Sequence, residues 1–225
     1  MPAIRYTATQ GPVFQMRRKP IRNAPLNLDL RRLRRRFASA AVPAASIYGD
    51  PGARPRRNIL TPASVLMPIV PRGAGLTMLF TLRTAHLKDH SAQVSFPGGR
   101  AEARDAGPEA TALRETEEEI GLEPRHVELL GRLPEYHTRT GFRITPVVGI
   151  VSPPFELRPE AREVAQVFEV PLAFLLDPAN HQRRSRQWRG ERRRFFAISY
   201  QEHYIWGATA GMLVNLYRHL SQVRL

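Results

Sequence analysis

The segment PEATALRETEEEI, residues 108–120, constrains the fold of this chain more than any other stretch of its sequence. Pro108 suits the first turn of a helix, because it lacks the N–H group that would be unpaired there. Gly121 follows the segment and can adopt the left-handed conformation that ends a helix. The apolar positions available for packing are Ala110, Leu113 and Ile120. The segment therefore predicts a helix with defined ends that packs on the protein core.

Carboxylates crowd one side of this predicted helix. Glu115, Glu118 and Glu119 are separated by steps of three and four and share a face, whereas Glu117 points more to the side. Like charges at these spacings repel by about 0.2–0.5 kcal/mol per exposed pair, and negative charge near a helix C-terminus adds roughly 0.3–1 kcal/mol. A hard divalent cation such as Mg²⁺ or Mn²⁺ would reverse both effects, since it prefers clustered carboxylate oxygens. Arg114, four residues before Glu118, can pair with it and fix its orientation.

The alternative is a solvated acidic helix face, and the sequence before the helix weighs against it. Pro97, Gly98 and Gly99 predict a turn at which the backbone can approach a ligand closely. Such a turn beside a carboxylate-bearing helix can hold a metal and a bridging phosphate together. Residues 91–180 hold 9 Lys and Arg against 15 Asp and Glu, although the whole chain carries a net charge of +14. This acidic centre indicates a cation site, and its basic flanks indicate an anionic substrate or partner.

Strands and helices alternate irregularly along the rest of the chain. The apolar runs at 62–70 and 76–84 predict two strands joined by the turn PRGAG. Further strands are predicted at 92–96, 127–138, 142–151 and 163–171, a short helix at 172–178, and a closing amphipathic helix at 208–220. This order favours the α/β fold class, with a mixed sheet and helices on its faces.

The N-terminal part of the chain is strongly basic. We predict a flexible basic tail over residues 1–26, a basic amphipathic helix and loop over 27–58, and the main domain over 59–225. The amphipathic helix has Leu26, Leu30, Leu33 and Phe37 at helical spacing with arginines between them. We expect it to pack on the domain with a solvated Arg face, and the alternative is binding to RNA or to a membrane surface.

The acidic helix and the turn before it resemble the signature of the Nudix hydrolase family. That signature is Gly, five residues, Glu, seven residues, then R-E-U-x-E-E-x-G-U, where U is a bulky aliphatic residue. RETEEEIGL at 114–122 matches its second half with Thr116 at the first U, and Gly99 matches its opening glycine. Asp105 holds the first acidic position in place of Glu, and its spacing to Arg114 is one residue longer. Both departures resemble the coenzyme A pyrophosphatase branch of the family.

A second motif just upstream also resembles that branch. The branch pattern is LLTxR-[SA]-x3-R-x3-G-x3-FPGG, and this chain has LFTLRTAHLKDHSAQVSFPGG at 79–99. Arg83 and the FPGG turn match in register. Thr84 replaces Ser or Ala, Lys88 replaces Arg with its charge kept, and Ala92 replaces Gly.

The resemblance implies a Nudix-type α/β/α sandwich that hydrolyses a diphosphate bond with Mg²⁺ or Mn²⁺. It implies coenzyme A or a derivative as substrate, with 3′,5′-ADP and 4′-phosphopantetheine, or its acyl form, as products. The implied metal ligands are Glu115, Glu118, Glu119 and the carbonyl of Gly99, with Arg114 among the catalytic residues. The implied substrate-binding residues are Arg83, Lys88, Phe96, Gly98 and Gly99. The group that takes the proton from water stays open between the helix glutamates and a distant carboxylate such as Glu163.

Two other functions are weighed against this one: a Nudix hydrolase of another nucleoside diphosphate derivative, such as ADP-ribose, and a basic RNA-binding protein on a Nudix scaffold. The segment RRSRQWRGERRRFF at 183–196 predicts a hairpin around 189–191, which is either structural, nucleic-acid binding, or a contact for the 3′-phosphate and adenine of coenzyme A. Small residues and an apolar face in the closing helix are compatible with a homodimer. The chain has no cysteine, which excludes disulfides and agrees with our expectation of a cytoplasmic location. No run approaches the ~18 apolar residues of a membrane span, so we expect no membrane partner.

Overall fold

Strands dominate the computed structural model, which describes residues 4–6, 28–39, 47–48, 60–85, 92–188 and 191–222. The strands in chain order are β1 (Ile4–Tyr6), β2 (Ile47–Tyr48), β3 (Thr61–Arg72), β4 (Gly75–Arg83), β5 (Val94–Ser95), β6 (Gly98–Arg100), β7 (Val127–Arg132), β8 (Tyr136–His137), β9 (Phe142–Val151), β10 (Phe155–Leu157), β11 (Val164–Pro171), β12 (Gln182–Trp188), β13 (Glu191–Tyr200) and β14 (His203–Trp206). The helices are α1 (Leu30–Ser39), α2 (Pro108–Ile120), α3 (Leu172–Leu175) and α4 (Ala208–Gln222), with 3-10 turns at Pro124–His126 and Pro178–Asn180.

Nine of the described strands form one mixed sheet. Six follow the order β11–β4–β3–β9–β8–β2, while β5 pairs with β4, β6 with β3, and β7 with β9. The central strand β3 runs parallel to β9 and antiparallel to β4. The predicted mixed sheet is therefore confirmed, and the turn before the acidic helix, as strand β6, is hydrogen-bonded to its central strand.

Side chains of β3 alternate between two hydrophobic layers on opposite faces of the sheet. Val65, Met67 and Ile69 belong to one layer, and Leu66 and Val70 belong to the other. The first layer includes Leu33 of α1 and Leu213 of α4, and the second includes Ala112 and Ile120 of α2. A strand covered on both faces needs a nearly continuous apolar run, which is what the sequence has. Helices thus cover both faces, and the predicted α/β/α sandwich is confirmed.

The ends of α2 are as predicted, but its buried face is only partly so. Gly121 has φ 68° and ψ 18°, and its N–H donates to the carbonyl of Glu117 at 2.8 Å. The buried residues of the helix are Thr111, Ala112, Thr116, Glu119 and Ile120, whereas Ala110 and Leu113 are half-buried. Thr116 can replace the usual aliphatic residue because its hydroxyl donates to the carbonyl of Ala112 at 2.6 Å.

The basic helix α1 packs on the domain, which confirms the structural interpretation of its pattern. Leu33 and Phe37 are buried, and the Phe37 ring lies 4.8 Å from that of His219 on α4. Arg34 forms a two-pronged ion pair with Glu128 of β7, with distances of 2.8 and 2.6 Å. No helix in the described part of the chain is long and apolar enough to cross a membrane.

Residues 4–6 of the predicted tail form the strand β1, which pairs antiparallel with β10. The rest of 1–27 and most of the predicted loop over 40–59 lie outside the described residues. The predicted hairpin near the C-terminus is confirmed as β12 and β13, and β14 extends it to a three-stranded sheet. Its turn at 189–190 lies outside the described residues.

Candidate active site

The glycine turn before α2 places a backbone donor against a helix carboxylate. Gly98 pairs with Val65 of β3 and has φ 149°, and a Cβ atom there would overlap the carbonyl oxygen of Ser64. Only glycine fits this position without a shift of β3. The close approach lets the Gly98 N–H donate to Glu119 Oε2 at 3.0 Å.

Glu119 is a nearly buried carboxyl group, with 6% of the residue exposed. The pKa of Glu119 is raised to about 7, chiefly by burial and also by the charges of Glu163 and Glu115. The Gly98 N–H and the cation of Arg83 oppose this shift and lower the pKa. A carboxyl group in this setting needs either a proton or more positive charge beside it.

Arg83 stands at the end of β4 and points its guanidinium toward α2. Its Nη1 lies 3.5 Å from Glu119 Oε1, and about a quarter of the side chain is exposed. Its Nε is buried and has no hydrogen-bond partner among the described residues. A buried guanidinium donor without an acceptor fits an anionic ligand, because Arg forks match phosphate oxygens.

Arg114 is the centre of an ion-pair network on α2. Its Nε and Nη2 donate to both oxygens of Asp105 at 2.9 and 3.0 Å, and its Nη1 donates to Glu115 and Glu118, each at 2.9 Å. The hydrogen bonds from Arg114 hold the pKa of Asp105 well below its usual range. The predicted pair of Arg114 with Glu118 is present, but the sequence reasoning missed that Asp105 is the main partner of Arg114. The position of Asp105 in the family signature was the sequence signal that could have indicated this pairing.

Gly99 contacts the carboxylate of Glu115. A Cβ atom at Gly99 would overlap that carboxylate, so the absence of a side chain makes room for it. Glu115 is half-buried, and burial raises the pKa of its carboxyl group, while the hydrogen bond from Arg114 lowers it. Glu118 is 52% exposed, so the three glutamates that share a helix face occupy different environments.

A loop at 160–163 completes the site on the side of β11. The Thr84 hydroxyl donates to the carbonyl of Arg162, and the Thr84 N–H donates to the carbonyl of Glu163, each at 2.9 Å. The Glu160 N–H donates to the carbonyl of Glu119 at 2.9 Å. These bonds tie the loop to β4 and α2, and the charge of Glu163 acts on Glu115 and Glu119. The anchoring role of Thr84 has no sequence signal, since the sequence shows it only as a motif departure.

The donor chemistry of this site fits a hard divalent cation. The buried Glu119, the half-buried Glu115 and the backbone of Gly99 supply oxygen atoms, the ligands that Mg²⁺ and Mn²⁺ prefer. Within the described ranges, no three acidic or histidine side chains converge on one point as a preformed cage. Glu115 and Glu118 both contact the guanidinium of Arg114, and Glu118 also contacts that of Arg104.

Two predicted substrate-binding residues, Phe96 and Lys88, differ from the others in what the structure shows of them. Phe96 is 2% exposed and stacks on Phe80 at 5.0 Å between ring centroids, so its ring belongs to the core, and its role in substrate binding stays a prediction. Its apolar ring is more stable in the core than beside a charged ligand. Lys88 lies within 86–91, outside the described residues.

Comparison with known proteins identifies the family. The model of the NUDIX domain matches residues 61–189. The chain is 42% identical over 154 residues to the uncharacterized Nudix hydrolase NudL of Escherichia coli K12, covering 68% of this chain and 80% of that protein. NudL of Shigella boydii serotype 18 matches to the same extent. The crystal structure of RenU, a Nudix hydrolase of M. smegmatis, aligns with a TM-score of 0.51 at 18% identity and covers 80% of this chain and 97% of RenU.

These matches agree with the geometry of the acidic helix and the glycine turn. Nudix hydrolases generally use divalent metal ions, which the oxygen donors of this site suit. The chain therefore belongs to the Nudix family and is a Nudix hydrolase, an enzyme that cleaves the diphosphate bond of nucleoside diphosphate derivatives.

Proposed function

We propose that this Nudix hydrolase cleaves the diphosphate bond of coenzyme A or its derivatives, giving 3′,5′-ADP and 4′-phosphopantetheine or its acyl form. The observation that carries this proposal is the contact between Arg83 Nη1 and Glu119 Oε1 at 3.5 Å. Arg83 belongs to the upstream motif that resembles the coenzyme A branch, and Glu119 belongs to the metal-binding half of the signature. Their proximity supports one site in which phosphate and metal are held together.

We assign the metal, Mg²⁺ or Mn²⁺, to Glu115, Glu118, Glu119 and the carbonyl of Gly99. A bound divalent cation neutralises phosphate oxygens and lowers the pKa of a bound water molecule. Arg114 orients Glu115 and Glu118 through its Nη1 atom. This orientation matters because the productive placement of metal ligands depends on the groups that hydrogen-bond to them.

The protein's own residues then bind and align the diphosphate. Arg83 contacts a phosphate group through its partly exposed guanidinium, and the backbone turn at Gly98 brings that phosphate close to α2. Lys88 is a further candidate for phosphate binding. Water attacks one phosphorus atom, the bridging P–O bond breaks, and the water proton passes to a carboxylate. Glu163 and the α2 glutamates are the candidate proton acceptors.

Product analysis by chromatography tests the proposal. The full chain is incubated with Mg²⁺ or Mn²⁺ and with coenzyme A, acyl-coenzyme A, oxidised coenzyme A, ADP-ribose, NADH and a diadenosine polyphosphate. We expect 3′,5′-ADP to be released from the coenzyme A compounds in preference to cleavage of the others. Preferential cleavage of ADP-ribose or another member would overturn the substrate assignment and keep the reaction type.

Two single-charge variants on α2 provide a matched pair for this assay. Glu119→Gln removes the buried carboxylate and is expected to remove most turnover. Glu117→Gln removes an exposed carboxylate that points to the side and is expected to leave turnover unchanged. Equal activity of the two variants would contradict the proposed metal site. The homodimer and the cytoplasmic location remain predictions.

A further inference from the structure

The three-stranded sheet of β12, β13 and β14 has one face packed on the protein and one face turned outward. Ile198 and Ile205 pair across β13 and β14, and both are completely buried in the core that contains α4. Residues paired directly across antiparallel strands share a face, and the next residue along each strand lies on the other face. The outward face therefore carries Arg184, Arg186, Phe195, Ser199, Tyr204 and Trp206.

Aromatic rings are exposed on this outward face. Tyr204 is 44% exposed and is one of two large hydrophobic side chains that are exposed in the described part of the chain. Phe195 and Trp206 lie beside each other with ring centroids 5.5 Å apart, and both are half-buried. Exposed aromatic surface on a sheet is costly in water, so its presence here indicates a contact surface.

Cations accompany these rings. Arg184 and Arg186 are exposed on β12, and Arg184 pairs directly with Phe195 in the sheet register. The guanidinium of Arg184 donates to the neutral amide of Gln182 at 3.0 and 2.7 Å and forms no ion pair with a carboxylate among the described residues. Residues 182–200 contain seven arginines and one glutamate in all. Arg184 thus gives this face a positive charge that pairs with no carboxylate among the described residues.

We propose that this outward face binds single-stranded nucleic acid. Phosphates would contact the arginines of β12, and bases would stack on Tyr204, the most exposed ring of the face, a combination typical of single-strand-binding surfaces. A face of aromatic rings and arginines on a sheet suits this ligand better than a membrane, since Ala197, the aliphatic residue on the described part of this face, is completely buried. The catalytic helix α2 packs instead on β3 and β6, so this surface is separate from the metal-binding helix.

Fluorescence anisotropy with the full-length protein and a labelled oligouridylate of about 12 nucleotides tests the proposal. The double substitution Arg184→Ser with Arg186→Ser should weaken binding and reduce the slope of log affinity against log salt by about 1.4, since each phosphate contact contributes about 0.7 for a single strand. Tyr204→Ala should weaken binding at least about fivefold, the loss expected for one stacked base.

Matched controls distinguish a role of this surface from a general effect of the protein's net charge. The double substitution Arg125→Ser with Arg158→Ser changes the net charge equally at two exposed positions elsewhere, and Leu129→Ala removes the other exposed hydrophobic side chain. Both controls should bind the oligonucleotide as the parent does. Equal losses in controls and sheet variants, or unchanged binding in the sheet variants, would overturn the proposal.

Turnover and oligomeric state complete the test. The β12 double variant should keep the parental kcat/KM for the best substrate of the product assay. A large rise in KM without loss of oligonucleotide binding would instead assign the face to the small-molecule substrate. A dimer in the parent that is lost in the variant, with no oligonucleotide binding by either, would assign it to a second copy of the chain. Each of these two outcomes rejects the nucleic-acid surface.

Discussion

The guanidinium of Arg114 and the carboxylate of Asp105 form a two-pronged ion pair, with Nε to Oδ1 at 2.9 Å and Nη2 to Oδ2 at 3.0 Å. The Asp105 side chain is only 5% exposed, and its Oδ2 also accepts from the Thr111 hydroxyl and the Glu102 N–H. This pairing leaves Nη1 of Arg114 directed at Glu115 and Glu118. Asp105 is shorter than the usual Glu and lies one residue further from Arg114 in sequence, yet its carboxylate still reaches this arginine.

Asp105→Asn should reduce both stability and turnover. A neutral amide offers one acceptor and cannot make two charge-assisted bonds to Arg114. We expect a lower Tm and a decrease of about 10–100-fold in metal affinity or activity, as is typical for groups that orient metal ligands. Thermal unfolding and metal titration measure the two effects. Glu102→Gln is the control, because Glu102 is half exposed and 3.7 Å from Arg114; an equal loss there would contradict the special role of Asp105.

The pH dependence of stability should report the same ion pair. Because Arg114 holds the pKa of Asp105 below its ordinary value of 3.8, the folded state prefers the charged carboxylate. The stabilisation is complete above that ordinary value and is lost as pH falls below it. The difference in Tm between the parent and Asp105→Asn should therefore be constant above about pH 5 and shrink at lower pH. A difference that stays constant down to about pH 3 would show that the charge of Asp105 is not responsible.

Sequence reasoning predicted α2 and the mixed sheet because their signals are local. Pro108 and Gly121 fix the helix ends through backbone chemistry, and the alternation in β3 follows from a strand covered on both faces. The location of the buried helix face was harder to predict. Thr116 is buried because its hydroxyl is satisfied within the helix, which a count of apolar residues does not detect.

The site was predictable only where residues lie close together in sequence. Arg83 and Glu119 come together because β4 and α2 meet in the fold, and their contact depends on 35 residues of intervening chain. Phe96 belongs to the upstream motif, which is why we predicted a contact with substrate, but its ring is buried in the core. A motif shows which residues belong together, but burial decides which of them can reach a ligand.

Two adjacent glycines should respond differently to alanine. At Gly98 the new methyl group would overlap the backbone of β3, so Gly98→Ala should destabilise the fold by about 1–3 kcal/mol. At Gly99 it would meet the end of the Glu115 side chain, which can move aside. Gly99→Ala should therefore change stability by only about 0.5 kcal/mol but reduce turnover at least tenfold. Denaturant unfolding and kcat decide the issue, and similar stability losses in both variants would count against this distinction.

Replacement of Ala92 by glycine should increase the stability of the fold. It has φ 53°, a left-handed conformation that costs an alanine about 1–2 kcal/mol, although the upstream motif has glycine at this position. Because glycine loses more chain entropy on folding, the net gain of Ala92→Gly should be about 0.5–1 kcal/mol in unfolding free energy. Gln201, with φ 52°, is a second site of the same kind, and Gln201→Gly should show a similar gain. A loss of stability at both sites would contradict the argument.

Glu119→Gln should make the metal-free protein more stable while it removes turnover. The folded-state pKa of Glu119 is raised by burial to about 7 from an ordinary value of 4.5, so the folded state binds this proton more tightly than the unfolded state. Stability of the parent therefore falls as pH rises from 4.5 to about 7, and the whole cost is present above that range. In EDTA at about pH 8, the variant should exceed the parent by on the order of 2 kcal/mol.

This advantage should disappear under two conditions. Below the ordinary pKa of 4.5, Glu119 is protonated in both states, so parent and variant should unfold alike. With Mg²⁺ or Mn²⁺ in excess at about pH 8, the metal stabilises only the protein that binds it, and the parent should regain stability relative to the variant. Denaturant unfolding in EDTA and in metal measures both comparisons. If the variant were the less stable protein in EDTA at about pH 8, the Gly98 N–H and Arg83 would already be sufficient to compensate the buried charge, and the need for a metal at Glu119 would be lost.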